Sequence, residues 1–274
     1  MNTLQVLLRT LAREPAVLVT VARTQGSAPR EVGAWMAVTP AALIGTIGGG
    51  QLEFEACARA RAMLGEAPAQ GLEQPHEQRY PLGPSLGQCC GGVVHLRFER
   101  LGESDIDGLQ ARLAPLHRLN VALFGGGHVG RAIVQLLGGL PAQVLWVDSR
   151  DEIFPADLPA QVRAEHSDPV QAAVADLPAG AKVLIMSFSH AEDLDVVAAC
   201  LQRQRERADL AFIGLIGSRS KWAAFSHRLQ ARGFSVEELT QVCCPIGVVG
   251  IQGKQPELIA LAAVAQLFQG WAPA

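Results

Sequence analysis

The length, composition and charge of the chain limit what it can be. Its 274 residues are enough for two modest domains, because a domain typically has about 100–200 residues. Apolar residues make up 49% and charged residues 18%, so the chain can bury a core and is not a disordered protein. The net charge of −3 and the aromatic content of 5% argue against a nucleic-acid binder. We therefore expect a folded protein without a nucleic-acid partner.

No segment of the sequence resembles an export signal or a membrane span. Arg9, Arg13 and Glu14 interrupt the first apolar stretch, and no window reaches the roughly 18 consecutive apolar residues that a span needs. The six cysteines are too few for a disulfide scaffold. We expect a cytoplasmic protein with reduced thiols and no membrane association.

The first hundred residues are predicted to form a mixed α/β domain. Leucines spaced three and four residues apart indicate an initial helix, which Pro15 ends. Short apolar strands are predicted at residues 17–21, 43–47 and 93–98. Residues 101–118 are more polar, and we predict that they are a linker, so that the first domain spans residues 1–100.

From residue 119 onwards, apolar strands alternate with helical patterns. The strands are predicted at residues 121–124, 144–147, 182–186 and 210–215. Continuous apolar strands need cover on both faces, which is typical of a parallel sheet with helices on each side. We therefore predict an α/β fold in which residues 119–274 form a Rossmann-like, doubly wound parallel sheet beside the smaller N-terminal mixed α/β domain.

A glycine-rich loop follows the first strand of this second domain. Gly125, Gly127 and Gly130 form the pattern Gly-x-Gly-x-x-Gly, with Gly126 inside it, and Asp148 ends the next strand. Dinucleotide-binding domains carry a ribose-binding acid about 20 residues after this pattern. We predict that the loop offers N–H groups to a phosphate at a helix start and that Asp148 belongs to the same cofactor site. A tight turn without a ligand is the alternative.

A second glycine cluster, Gly48, Gly49 and Gly50, also lies between a predicted strand and a predicted helix. Glu53 would then lie just inside that helix. The cluster either offers N–H donors to an anion or forms a closely packed turn, and its spacing does not decide between them. On the first interpretation, these three glycines and Glu53 are cofactor-binding residues.

Two adjacent cysteines, Cys89 and Cys90, have glycines on both sides, which predicts an exposed and adaptable loop. Thiolates suit zinc, copper(I), iron–sulfur clusters or a carried sulfur atom. The sequence has no Cys-x-x-Cys pattern, which argues against a structural zinc site. We predict a cofactor-binding role for Cys89 and Cys90, whereas Cys57 and Cys200 lie in helical patterns and are interpreted as small buried hydrophobic residues.

Six motifs in chain order resemble the XdhC/CoxI family of xanthine dehydrogenase accessory proteins. They lie at residues 26–30, 45–53, 87–92, 125–130, 213–219 and 244–247. The resemblance covers nearly the whole chain, and six ordered motifs in two domains are far more specific than the glycine pattern alone. The chain departs from the family pattern at Ser187 and Phe188 and in residues 248–254.

The resemblance implies a function that composition does not reveal. Similar proteins bind the molybdenum cofactor (molybdopterin), protect it while a cysteine desulfurase supplies sulfur, insert it into xanthine dehydrogenase and form homodimers. It implies that the glycine loops bind the pterin phosphate, that Arg30 or Arg219 contacts anionic oxygens and that Cys90 contacts the metal. Such an accessory protein has no catalytic residues. An NAD(P)-dependent oxidoreductase is the alternative, with only His190 or Ser187 as a proton donor.

Overall fold

The computed structural model describes residues 3–66, 75–83, 91–113 and 118–271. The chain divides into two units, Met1–Ala114 and Pro115–Ala274, and each cluster of buried apolar side chains lies within one unit. None of the helices in the described ranges combines the length and the apolar character that a membrane span requires.

The first unit is built on a five-stranded antiparallel sheet. The strands are β1 (Ala16–Gln25), β2 (Trp35–Val38), β3 (Leu43–Gly45), β4 (His76–Pro81) and β5 (Val93–Leu101). Their spatial order is β3-β2-β1-β5-β4, and every neighbouring pair is antiparallel. Five of the first six residues of the central strand, β1, are apolar and buried, because both faces of this strand are covered.

Three α-helices among the described residues accompany this sheet. They are α1 (Thr3–Leu11), α2 (Gly50–Gly65) and α3 (Ile106–Leu113). Alternate side chains of β1 point to opposite faces, so that Val17 and Val19 share one apolar cluster with α2, whereas Leu18 shares the other with α1 and α3. The unit is therefore a sheet with a helical layer on each face.

The segment predicted as a linker, residues 101–118, differs from that prediction. It contains the end of β5, a short 3-10 turn at Glu103–Asp105 and the helix α3. Leu109 of α3 is only 2% exposed and belongs to the core of the first unit. The polar composition arises because α3 buries one face only, and the division between the units follows this helix.

The second unit has the Rossmann-like, doubly wound parallel sheet that the sequence predicts. Its strands are β6 (Leu119–Phe124), β7 (Ala142–Asp148), β8 (Val162–His166), β9 (Lys182–Ile185), β10 (Phe212–Leu215) and β11 (Val242–Cys243). Their spatial order is β11-β10-β9-β6-β7-β8, and all pairs are parallel. The order reverses between β6 and β9, where such sheets form a ligand crevice at the carboxyl ends of the strands.

Helices cover both faces of this sheet. They are α4 (His128–Leu137), α5 (His190–Arg207), α6 (Arg219–Ala231), the short α7 (Val236–Leu239) and α8 (Pro256–Phe268). Two separate apolar clusters place α4 and α8 on one face and α5 and α6 on the other. Ser189 and Ser218 begin α5 and α6, because their hydroxyl oxygens accept hydrogen bonds from backbone N–H groups of the first turn. Both helices therefore start at the carboxyl ends of β9 and β10.

Candidate functional site

The predicted glycine loop lies at the reversal point of the parallel sheet. Gly125 has a φ of +126°, and a Cβ there would collide with the carbonyl oxygen of Met186 after β9. A Cβ on Gly130 would collide with the carbonyl oxygen of Gly125. Both positions require glycine because the loop packs directly against its neighbours. These two glycines are thus explained by close backbone packing.

Gly127 is the position in this loop that is open to a ligand. A Cβ there would meet no heavy atom within 4 Å, and both Gly127 and the following His128 are exposed. Gly127 is the N-cap of α4, and no side chain of the described residues caps this helix. Uncapped N–H groups at a helix start attract anions. The geometry fits the phosphate group that the sequence predicts here.

Asp148, the predicted ribose-binding acid, is buried and fully paired. It is 1% exposed, and its carboxylate accepts hydrogen bonds from the N–H of Gly126 at 2.6 Å and the N–H of Arg150 at 2.9 Å. The Arg150 guanidinium donates two more, at 2.9 and 3.0 Å. Burial raises the pKa of Asp148, but these hydrogen bonds outweigh burial, so the pKa lies below its ordinary value. Asp148 holds the loop and Arg150 in place and does not face a ligand directly.

Arg150 is a candidate binding residue that the sequence analysis missed. Its guanidinium lies 4.3 Å from the centre of the Phe188 ring, which is 64% exposed. Arg150 and the N–H of Gly126 donate to the same oxygen of Asp148, so the cation lies beside the glycine loop. The sequence signal that identifies it is an arginine two residues after the acid that ends the strand following the loop.

A second buried ion pair lies at the ends of β9 and β10. The Nζ atom of Lys221 is 2.6 Å from Asp193 Oδ2 and donates to the carbonyl oxygen of Ile216 at 2.9 Å. Asp193 also accepts a hydrogen bond from the N–H of Ser187 at 2.7 Å. Both charges are used within the protein. By contrast, the predicted anion ligand Arg219 is exposed at the start of α6 and has no ion-pair partner among the described residues.

In the first unit, the second glycine loop is occupied by its own carboxylate. Residues 48–50 have φ angles of +120°, +75° and +67°, which glycine alone adopts readily. Glu53 accepts hydrogen bonds from the N–H groups of Ile47 at 3.0 Å and Gly49 at 3.1 Å, and from Thr46 Oγ1 at 2.5 Å. Burial raises the pKa of Glu53, but these donors outweigh it, so the pKa lies below its ordinary value. The N–H groups of Gly48 and Gly49 are thus hydrogen-bonded within the loop, to Thr46 Oγ1 and to Glu53.

Other N-terminal motifs meet around this loop. A Cβ on Gly48 would lie 2.6 Å from the Cβ of Pro29, so the motif at residues 26–30 packs on the glycine loop. A Cβ on Gly92 would collide with the carbonyl oxygen of Ser27. The Nη1 atom of Arg30 lies 3.5 Å from the carbonyl oxygen of Thr46. Residues far apart in sequence therefore form one surface of the first unit.

The four cysteines to which the sequence analysis gave a role fall into two groups. Cys57 and Cys200 are 8% and 0% exposed, and burial raises the pKa of Cys200 to about 12, so both pack as the sequence predicts. Cys89 and Cys90 lie outside the described residues, and their roles stay predictions. Within the described ranges, no group of three or more His, Cys, Asp and Glu side chains is arranged to hold a metal ion.

Comparison with protein families gives one match in each unit. The family model described as the XdhC Rossmann domain matches residues 121–267, which are more than half of the chain. The model described as the XdhC and CoxI family matches residues 10–74. The two matches are in the same order as the two units.

Individual proteins are similar over almost the whole chain. The uncharacterized protein YqeB of Escherichia coli is 24% identical over 257 residues, which are 93% of this chain but 43% of that protein. The chain thus spans less than half the length of this curated relative. A crystal structure described as a xanthine dehydrogenase from Bacillus halodurans has a TM-score of 0.72 and 19% identity, covering 98% of this chain and 95% of that one. That likeness shows the fold.

Proposed function

Because the chain belongs to the XdhC and CoxI family, we propose that it is an accessory protein of xanthine dehydrogenase that carries the molybdenum cofactor. In this proposal the protein binds the cofactor in the cytoplasm, protects it while a cysteine desulfurase supplies sulfur and inserts it into the target enzyme. The observation that carries the proposal is the family match in both units. A Rossmann domain by itself fits many unrelated functions.

The glycine loop of the second unit supports the part of this proposal that concerns binding of the cofactor's phosphate group. The uncapped start of α4 at Gly127 has room for a phosphate, and Arg150 supplies a cation beside Gly126. Arg219 is a further unpaired cation among the described residues, on the same edge of the sheet. Phosphate recognition by N–H groups and arginine is geometrically specific, because both present directed donors.

The alternative, an NAD(P)-dependent oxidoreductase, is favoured by the strand order of the second unit. An NAD-dependent enzyme needs an acidic side chain that can bind the ribose hydroxyl groups, whereas an NADP-dependent enzyme uses a nearby arginine for the 2′-phosphate. Asp148 occupies the expected position, but its carboxylate is 1% exposed and already accepts four hydrogen bonds. Binding of a ribose would require Arg150 to leave. The buried pair therefore argues against an NAD-dependent enzyme, and the family match in both units favours the accessory protein.

In this proposal, the thiols of Cys89 and Cys90 contact the metal end of the cofactor. A thiolate is a soft ligand and suits molybdenum or its sulfido position, whereas a hydroxyl group performs these tasks poorly. Cys89 and Cys90 stand between glycines in the sequence motif that the family shares. We assign the metal contact to Cys90, with Cys89 in an equal or smaller role.

Replacement of Cys90 tests this assignment. Cys90→Ser should lower molybdenum loading and activation of cofactor-free xanthine dehydrogenase at least about tenfold, or roughly 1.4 kcal/mol, because serine removes the soft ligand and little else. Metal analysis and an activation assay measure the two effects. Cys57→Ser is the matched control, since this buried thiol should affect stability and spare loading. Normal loading and normal activation by Cys90→Ser would refute the thiol assignment.

A further inference from the structure

The second unit contains a cleft that none of the predicted site residues lines. It has a volume of about 510 Å³ and lies at the carboxyl ends of β10 and β11. Its walls include Ile216, Pro245 and Ile246 from the strand ends and Leu258, Ile259 and Ala262 from α8. Small-molecule sites typically measure about 300–1,000 Å³ and lie at this edge of doubly wound sheets. The size and the position of the cleft both suit a small ligand.

Backbone hydrogen bonds fix the shape of the cleft. The N–H of Gly247 donates to the side-chain oxygen of Gln266 at 2.6 Å, and the N–H of Val248 donates to the carbonyl oxygen of Ala262 at 3.1 Å. These bonds tie the segment after β11 to α8. Leu258 and Ala262 are one helical turn apart and share a face of α8. The aliphatic side chains that line the cleft therefore come from two segments that hydrogen bonds hold together.

The rim of the cleft offers unused backbone groups. Within the described part of the chain, the N–H and C=O groups of Val249, Gly250 and Ile251 have no hydrogen-bond partner. The side chain of Val249 is fully exposed and is not packed against other described residues. Free donors and acceptors beside apolar walls are suited to the polar edge of a heterocycle, whereas a purely aliphatic ligand would leave them unpaired.

The cleft selects against charge. Every residue that lines it is apolar or glycine. An ion pair, Lys221 with Asp193, lies next to the lining residue Gly217, whose Cβ would come within 2.8 Å of the Lys221 side chain. The two charges of this pair compensate each other. A charged group in the cleft would thus gain no ion-pair partner from the residues that line it.

We propose that this cleft binds an uncharged, bicyclic nitrogen heterocycle, either the pterin ring of the carried cofactor or a free purine base. Only the choice of pterin as the ligand rests on the proposed function. The argument from the shape and lining of the cleft applies equally to a purine base. The flat faces of the ring pack between the strand ends and α8, and its polar edge meets residues 249–251.

Two fluorescent probes, pterin and 2-aminopurine, test the proposal by anisotropy titration of the full-length protein. Ile259→Trp fills the cleft and should weaken binding of the probe at least about tenfold. Leu261→Trp is the matched control, because Leu261 is 46% exposed and does not line the cleft. Val249→Asp is a second variant that cannot disturb the core, with Val236→Asp, 62% exposed on α7, as its control.

Binding of pterin alone identifies the cofactor ring, and binding of 2-aminopurine alone identifies a purine site; either supports the cleft. Binding of neither probe, or binding that Ile259→Trp and Val249→Asp leave unchanged, would overturn the proposal. If the wild-type protein binds neither probe and Ile259→Trp differs from it in molar mass, the cleft is an interface between copies of the chain. That result would also overturn the proposal. Molybdenum loading is measured separately, so a chain that binds pterin but never carries molybdenum refutes the proposed function and not the cleft.

Discussion

At the scale of single residues, the ion pair of Asp148 with Arg150 lies directly beside the glycine loop. The carboxylate is buried, whereas the Arg150 side chain is 35% exposed. Loss of the arginine would leave a buried charge with backbone donors only, which is costly. The pair therefore acts both in stability and in placing a cation beside the glycine loop.

Arg150→Ala should lower the free energy of unfolding by about 2 kcal/mol, less than for a fully buried pair because part of the arginine is exposed. The pKa of Asp148 lies below its ordinary value of 3.8, so its contribution is present above that pH and is lost as the pH falls through the lowered pKa. The difference from the wild type should therefore shrink below about pH 4. Urea unfolding at several pH values measures this difference in the free energy of unfolding. Arg163→Ala is the control, because Arg163 belongs to an exposed ion pair and its loss should change the stability little.

Gly127→Val tests whether the loop binds a ligand. The φ of Gly127 is −68°, and a Cβ meets no neighbour, so the variant should fold with a loss of about 1 kcal/mol at most. Its branched side chain occupies the space where a phosphate would approach, so cofactor binding should fall severely. Gly130→Ala is the contrasting variant, because its Cβ would collide with the carbonyl oxygen of Gly125 and it should destabilise the domain. Unchanged affinity of Gly127→Val for the cofactor would make this turn purely structural.

Sequence spacing located Asp148 but not its partner. The offset from Gly125 places the acid at the end of β7, which the structure confirms. Whether a carboxylate faces a ligand or an arginine depends on the path of the next two residues, which spacing does not reveal. The same reason applies to Glu53, whose position was predicted, but whose hydrogen bonds to Ile47 and Gly49 depend on three successive positive φ angles.

At the scale of elements, the start of α2 is held by Glu53. Glu53→Gln should lower the free energy of unfolding of the first unit by about 1 kcal/mol at pH 7, because the loop N–H groups lose a charged acceptor. The pKa of Glu53 lies below its ordinary value of 4.5, so this contribution is present above that pH and is lost as the pH falls. Circular dichroism during urea unfolding at several pH values measures it. Glu55→Gln on the same helix is the control, and an equal effect of both would contradict the role of Glu53.

Most strands of the parallel sheet were predictable, whereas β2, the edge strands β4 and β8 and the helix α3 were not. β6, β7, β9 and β10 were found because their side chains are buried on both sides of the sheet. β4 and β8 lie at sheet edges, are mostly polar and gave no apolar pattern. The helix α3 was interpreted as linker for the same reason. Edge elements depend on pairing with a neighbour, which local sequence does not encode.

At the scale of the whole molecule, the family resemblance predicts a homodimer. The mean hydropathy is +0.20, and exposed apolar side chains such as Phe54 and Val32, 70% and 57% exposed, are candidates for burial in an interface. Light scattering should give the mass of a dimer. A monomer mass that does not change with concentration would contradict this prediction.

The central claim is that the chain carries the molybdenum cofactor, and the most direct measurement is the molybdenum and pterin content of the protein. The protein should be purified without air from a host that makes the cofactor. The account predicts stoichiometric molybdenum together with pterin, and the loss of both in Gly127→Val. Absence of both from the wild-type protein, together with tight binding of NAD(H), would contradict the account and favour the oxidoreductase.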